Sequence, residues 1–406
     1  MGTPIHLITI LLLISAAVAM AVKWVRIPYS IALVVVGLAI GVFGLLPPVR
    51  MTPELILLVF LPALLFEASW NLDLERVKQN WLTIGVFASI GVVISMFIIA
   101  GILHMWAGMS LSAALLFGAM ISATDPLSVL AVFRRLKINN RLNSILEGES
   151  LFNDGTAVVL FQIILSIVFT GASFSWPETV AKFLLVVIGG IAIGSVVGYG
   201  ASKVISYFDD RLLELMLTTL VAYGAFLLAE EVHVSAVLGV VVAGMVLGNY
   251  GRRTGMSRST SKYVDAFWEY AAFVVSSLVF LLIGLQVQLP LLIKYAPQIG
   301  IAIVAILASR LIVVFGFCPL LSRKNAPISP AWRLLLFWGA LRGSLSMALA
   351  LSLPIEFQGR EQLIIMTFGV VLFTLLVQGL TIEPLIRLLG KTHPGLLGAR
   401  EILDPV

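Results

Sequence analysis

Charge is scarce in this sequence. Charged side chains make up 12% of its 406 residues, against roughly 25% in an ordinary globular domain. So few charges cannot clothe a water-facing surface on a chain that is 60% hydrophobic, which excludes a soluble enzyme and a disordered chain. The net charge of +5 does not make a nucleic-acid binder either, because the basic residues stand in short clusters between apolar blocks. Cysteine is nearly absent, and the lone Cys318 excludes an intrachain disulfide framework or a multi-cysteine metal centre. The four histidines, His6, His104, His233 and His393, fall near the ends of apolar runs and read as interfacial groups, not as ligands or a proton wire. Alternating ten-residue segments are missing, which excludes an outer-membrane barrel. The first apolar run lacks a basic leader and a cleavage site, so it reads as a retained helix, not a signal peptide.

What fills the chain instead is long apolar runs. A bilayer core about 30 Å thick asks for about 20 apolar residues per helix. That ruler predicts thirteen spans: 4–22, 28–46, 54–70, 81–104, 109–133, 142–170, 177–200, 212–230, 234–249, 265–288, 298–321, 332–354 and 361–388. The third and ninth are short. Twenty of the 26 basic residues lie in the odd-numbered loops and the tail, and only Arg50, Lys294 and Arg360 lie in the even ones. Loops rich in Lys and Arg stay in the cytoplasm, so the expectation is an outside N-terminus and a cytoplasmic C-terminus. The tail, 389–406, predicts no regulatory domain. This compactness suggests a prokaryotic inner membrane.

Ionisable residues within apolar spans mark function. Glu67, Asp125, Glu147, Glu149, Asp154 and Arg342 stand in such surroundings, which points to a cation site with an internal counter-charge. Ser150 and Asp154 are four apart, as are Glu149 and Asn153, so each pair shares a helix face. Hydroxyl and carboxylate oxygens suit hard cations such as Na⁺. Pro126 disfavours helix at Asp125 and removes a backbone donor, which breaks the fifth span and frees carbonyls, that of Thr124 among them. Gly339 and Gly343 around Arg342 break the twelfth. Two broken helices seven spans apart are the signature of two inverted six-helix repeats with the site between them.

Several of these residues admit a second reading. Glu67 is either a ligand or a helix-end residue, and Asp125 either meets the ion or caps the second half of its broken helix. Glu149 and Arg342 are expected to form a structural ion pair. Glu147 lies near the cytoplasmic end and reads as water-facing, as do Glu214, Glu230 and Glu231. Arg310 has no assigned partner. The glycines in 189–200 and 239–248 read as close helix packing.

The motifs carry a resemblance. Phe60–Glu67, Ser122–Phe133, Glu147–Thr156, Phe280–Gln286, Gly339–Ala350 and Leu376–Thr381 run in the order found in monovalent cation/proton antiporters of the NhaP and NHE type, which the chain resembles over nearly its whole length. The resemblance implies that Asp154 of the Asn153-Asp154 pair binds a proton or a cation in turn. It implies that Thr124, Ser150 and Glu67 help ligate Na⁺ or Li⁺, that Asn153 and Asp125 support the site, and that Glu149 pairs with Arg342. The Asn-Asp pair implies electroneutral one-for-one exchange by alternating access. A homodimer is implied, with 1–70 and 177–288 as scaffold and 81–170 and 298–388 as a mobile ion-carrying core. No cofactor and no enzyme activity are expected. Ala63 replaces a second proline common in relatives, and Glu383 stands where they carry proline or a basic residue. K⁺/H⁺ exchange on the same scaffold is the alternative. A cation channel ranks below it, and a membrane enzyme ranks last for want of a hydrolase motif.

Overall fold

The computed structural model describes residues 4–24, 27–46, 54–170, 175–286, 288–322 and 328–392. Arg26, Arg50, Arg323, Lys324, His393, Arg400 and the tail beyond 392 lie outside the described residues. The helices are α1 (Pro4–Val22), α2 (Tyr29–Val42), α3 (Leu61–Asn71), α4 (Leu74–Val86), α5 (Val92–Trp106), α6 (Leu111–Ser122), α7 (Leu127–Arg135), α8 (Asn140–Thr170), α9 (Trp176–Ile205) and α10 (Arg211–Glu231). They continue as α11 (Ala236–Val246), α12 (Arg252–Thr254), α13 (Arg258–Leu285), α14 (Leu289–Lys294), α15 (Ala296–Leu321), α16 (Pro330–Trp338), α17 (Ser344–Leu351), α18 (Arg360–Phe373) and α19 (Gly379–Thr392). No β-strand occurs among the described residues. Eight helical stretches there are long and apolar enough to cross a membrane, and three shorter apolar ones accompany them.

Both expected breaks are present. α6 and α7 are separated by Ala123–Pro126, and α16 and α17 by Gly339–Gly343. Short π-helical turns at Phe87–Gly91, Leu247–Gly251 and Thr374–Gln378 join neighbouring helices without interrupting them, and another at Leu55–Phe60 leads into α3, a geometry often found beside functional sites.

Helices here approach closely where side chains are small. α2 packs on α13 with Gly37 against Gly284, and a Cβ on Gly37 would collide with the Leu281 carbonyl. Close backbone approach through small residues is how helices associate where no hydrophobic gain is available between them.

Contacts between loops sort the two ends of the bundle. Asn249 donates to the Leu72 carbonyl at 2.9 Å and accepts from the Leu74 N–H at 3.1 Å. Arg141 donates to Asn80 at 2.8 Å and lies over the Trp332 ring. Arg211 covers Tyr263, and Arg135 pairs with Glu383. All of these lie at odd-loop ends. At the other end, Tyr295 donates to Glu361 and the Ser235 N–H bonds the Val186 carbonyl. The odd-loop end is called the basic face below.

Candidate functional site

The two breaks cross each other. The Asp125 N–H donates to the Leu341 carbonyl at 2.8 Å, so the interrupted backbones partly satisfy one another, as buried irregular chain must. Four half-helix ends then need charge compensation, since N-termini are positive and C-termini negative. Asp125 serves the positive ends: its carboxylate accepts from the N–H of Leu127 at 3.2 Å and from the N–H of Ser344. Gly343 lies so close to this carboxylate that a Cβ would run into it. Arg342 serves one negative end by donating to the Ser122 and Ala123 carbonyls at 2.9 and 3.0 Å. Arg310 serves the other by donating to the Leu336 carbonyl at 2.8 Å through Nη2. Of the two readings of Asp125, the capping one describes its bonds.

Glu149 does not pair with Arg342. Its carboxylate is gripped by both guanidinium nitrogens of Arg310, with Nη2 to Oε2 at 3.1 Å. The expectation is corrected for a simple reason. Arg342 sits in the break itself and is consumed by the α6 carbonyls, whereas Arg310 reaches Glu149 from mid-α15. Both members of the pair are buried, and bidentate geometry is what makes such a pair tolerable away from water.

α8 supplies the remaining oxygens. Asn153 holds Thr124 at two points, donating to its hydroxyl at 2.7 Å and accepting from its N–H at 3.3 Å. The Ser150 hydroxyl donates to the Thr124 carbonyl. Asp154 is different: its Oδ1 is buried and has no hydrogen-bond partner. Asp154, Ser150, Thr124, Asp125 and Glu147 line one cavity of about 60 Å³ with Gly343 and Ser344. Among the described residues no three His, Cys, Asp or Glu side chains converge as a metal cluster; beside the Asp154 carboxylate the cavity lining offers the Ser150 hydroxyl, the Thr124 residue and the Glu147 carboxylate.

Glu67 is not in that cavity. It accepts from Asn71 at 3.0 Å and lines a neighbouring vestibule of about 380 Å³, together with Ser30, Ser128, Arg135 and Glu269. Glu269 and Asp265 on α13 were not singled out above. Two acids four apart in Asp-Ala-Phe-Trp-Glu, at the start of an apolar run, are the signal that would have found them. Asp265 takes the Trp70 indole N–H at 2.8 Å and pairs with Arg252. Glu383 anchors Arg135 and Arg387. Glu230 and Glu231 line a wide cavity of about 840 Å³ with Lys182 and His233.

Residues 8–388 match the family model for the transmembrane sodium/hydrogen exchanger. The chain belongs to the sodium/hydrogen exchanger family. It is 45% identical over 383 residues to the low-affinity Na⁺/H⁺ antiporter NhaS1 of Synechocystis sp., covering 92% of this chain and 72% of that one. To the Na⁺/H⁺ antiporter NhaP of Pseudomonas aeruginosa it is 39% identical over 354 residues, 84% of this chain and 82% of the relative. Its fold resembles that of the sodium proton antiporter MjNhaP1 from Methanocaldococcus jannaschii, with a TM-score of 0.79 at 22% identity over 94% and 97% of the two chains. As an exchanger-family member the chain is an integral protein of the cell membrane and a transporter of the NhaP type.

Proposed function

We propose that this exchanger-family chain trades Na⁺ or Li⁺ for H⁺ across the membrane, with the two ions competing for Asp154. The observation that carries the reading is the buried, unpartnered Oδ1 of Asp154, a residue that lines a small cavity together with Ser150 and Thr124. An ionised carboxylate without compensation is costly at this depth. Asp154 therefore crosses the membrane only when it holds a proton or a cation. Either occupant leaves the moving site with the same net charge, because Arg342 and the Glu149–Arg310 pair are constant. One proton against one Na⁺ moves no net charge, so the exchange is electroneutral. Ser150 and the Thr124 carbonyl are the further cation ligands, and Glu67 receives the ion in the vestibule.

The accompanying topology is thirteen spans with the basic face in the cytoplasm and the N-terminus outside, supported by the distribution of Lys and Arg. The chain acts as a homodimer in which 1–70 and 177–288 form the scaffold while 81–170 and 298–388 carry the ion by alternating access.

The test uses purified protein in liposomes loaded with a pH dye, pulsed with Na⁺, Li⁺ or K⁺, with and without a clamped membrane potential. Na⁺ and Li⁺ should drive proton movement that is indifferent to voltage and absent in Asp154→Asn. A response to K⁺ alone would change the substrate and keep the mechanism. Normal exchange by folded Asp154→Asn would end the reading.

A further inference from the structure

The exchange model leaves two buried acids unused, Glu147 and Glu214, and of these Glu147 lines the Asp154 cavity. Glu147 is 8% exposed, although its sequence position suggested a water-facing group. It lies seven residues before Asp154 and three before Ser150 on α8, so the three share a face and Glu147 stands about 10 Å from Asp154 along the axis. It lines the same cavity as Asp154, whose Oδ1 is buried without a partner. The rest of that lining is largely apolar, with Leu61, Leu65, Leu130 and Leu151. A hydrated cation moving from the Glu67 vestibule to Asp154 would have to shed its water against leucines in a single step.

One cation already sits at Glu147. The Arg134 guanidinium lies 3.5 Å from its carboxylate, beyond hydrogen-bond length, and the arginine side chain is 63% exposed. Its neighbour Arg135 is not available for this role, because Glu383 holds it. Arg134 therefore neutralises Glu147 loosely from the solvent side and gives up little on leaving, since most of it is hydrated throughout.

We propose that Glu147 is a way-station ligand for the transported monovalent cation, and that Arg134 is a tethered stand-in that occupies it between passages. The inference rests on the exchange reading above and names the path into that site. An arriving Na⁺ replaces the guanidinium at Glu147, trades part of its water for carboxylate oxygen there, and moves along the α8 face to Ser150 and Asp154. Arg134 then returns and leaves the mouth of the cavity neutral.

The two residues make opposite predictions, which separates this role from a structural brace. In proteoliposomes at low ionic strength, Glu147→Gln should raise the apparent KM for Na⁺ about threefold to tenfold with little change in maximal rate. Arg134→Gln should lower that KM by a smaller factor, and added choline chloride should shrink its effect. The double variant should keep the raised KM of Glu147→Gln, with only a small remaining difference from the Arg134 charge near Glu67. Arg134→Gln removes an exposed group and keeps the test usable should Glu147→Gln fail to fold. If both single variants raise KM, or if both lower the melting temperature with KM unchanged, the pair is a brace and the inference is overturned. A wild type that moves no protons with any cation removes the exchange reading beneath it; normal wild-type exchange with unchanged KM in both variants removes this inference alone.

Discussion

Glu149 and Asp154 stand five residues apart on α8, both in apolar surroundings, and the structure treats them in opposite ways. Glu149 is saturated: two nitrogens of Arg310 reach its oxygens, and the same guanidinium also bonds the Leu336 carbonyl. Asp154 keeps one buried oxygen with no partner. A carboxylate that is fully matched cannot exchange its partner without breaking the bundle. A carboxylate left unmatched has room for a partner that comes and goes. Whether each acid is paired is thus set by what surrounds it, not by residue type or depth.

The comparison predicts its largest contrast in stability. Glu149→Gln leaves Arg310 buried without its counter-charge and should cost about 3–5 kcal/mol, read as a lowered midpoint on unfolding in detergent. Adding Arg310→Met should recover most of that loss. Asp154→Asn should melt near the wild type while exchange is lost. If the two single variants melted alike, the assignment of roles would collapse.

The next effect is on binding. Protons and Na⁺ competing for one carboxylate require the apparent Na⁺ affinity to weaken by about tenfold per pH unit once acidification populates the protonated form. The sign follows from occupancy: rising pH frees Asp154 for the cation. A slope near two decades per unit in a titration of apparent KM would require a second proton-binding group in the site. Smaller than the effect of two pH units is Asn153→Ala, which removes both bonds to Thr124 and should cost about 1–2 kcal/mol of cation affinity; unchanged affinity would mean that Thr124 is positioned by Ser150 alone. Smallest is Glu383→Gln. Its partners Arg135 and Arg387 are half-exposed or more, and exposed pairs contribute about 0–1 kcal/mol. A large loss of stability there would show that the latch between α7 and α19 matters far more than its exposure suggests.

Much of this site was legible in the sequence because it depends on local chemistry. Pro126 and the glycines around Arg342 announced both breaks, and the spacing of Ser150 and Asp154 announced their shared face. The partner of Glu149 was not legible. Helical spacing says which residues share a stripe but not which neighbouring helix that stripe meets, and Arg310 and Arg342 both stand alone in apolar runs. The carbonyls exposed by the break decide between them, because they claim Arg342 first. Glu147 was misread for a related reason. Nearness to a span end suggests water, yet in a bundle it is the covering helices that decide exposure. Glu67 belongs to the vestibule and not to the Asp154 cavity, a separation that depends on how α3 is rotated against α8 and that no motif encodes.

The π-turn at Thr374–Gln378 has a consequence for register. On its near side, the Thr374 hydroxyl accepts the Arg342 N–H at 3.1 Å. On its far side, Thr381 accepts from the Trp338 indole at 2.8 Å and Glu383 holds Arg135. A π-turn holds one more residue than an α-turn. Were the same residues wound as plain α-helix, the apolar character would be unchanged, but everything after Gln378 would turn by about 100° about the axis. Thr381 and Glu383 would then point away from both broken helices while Thr374 stayed in place. The wide turn works as a phase correction, letting a single helix serve the crossing point and the basic face at once.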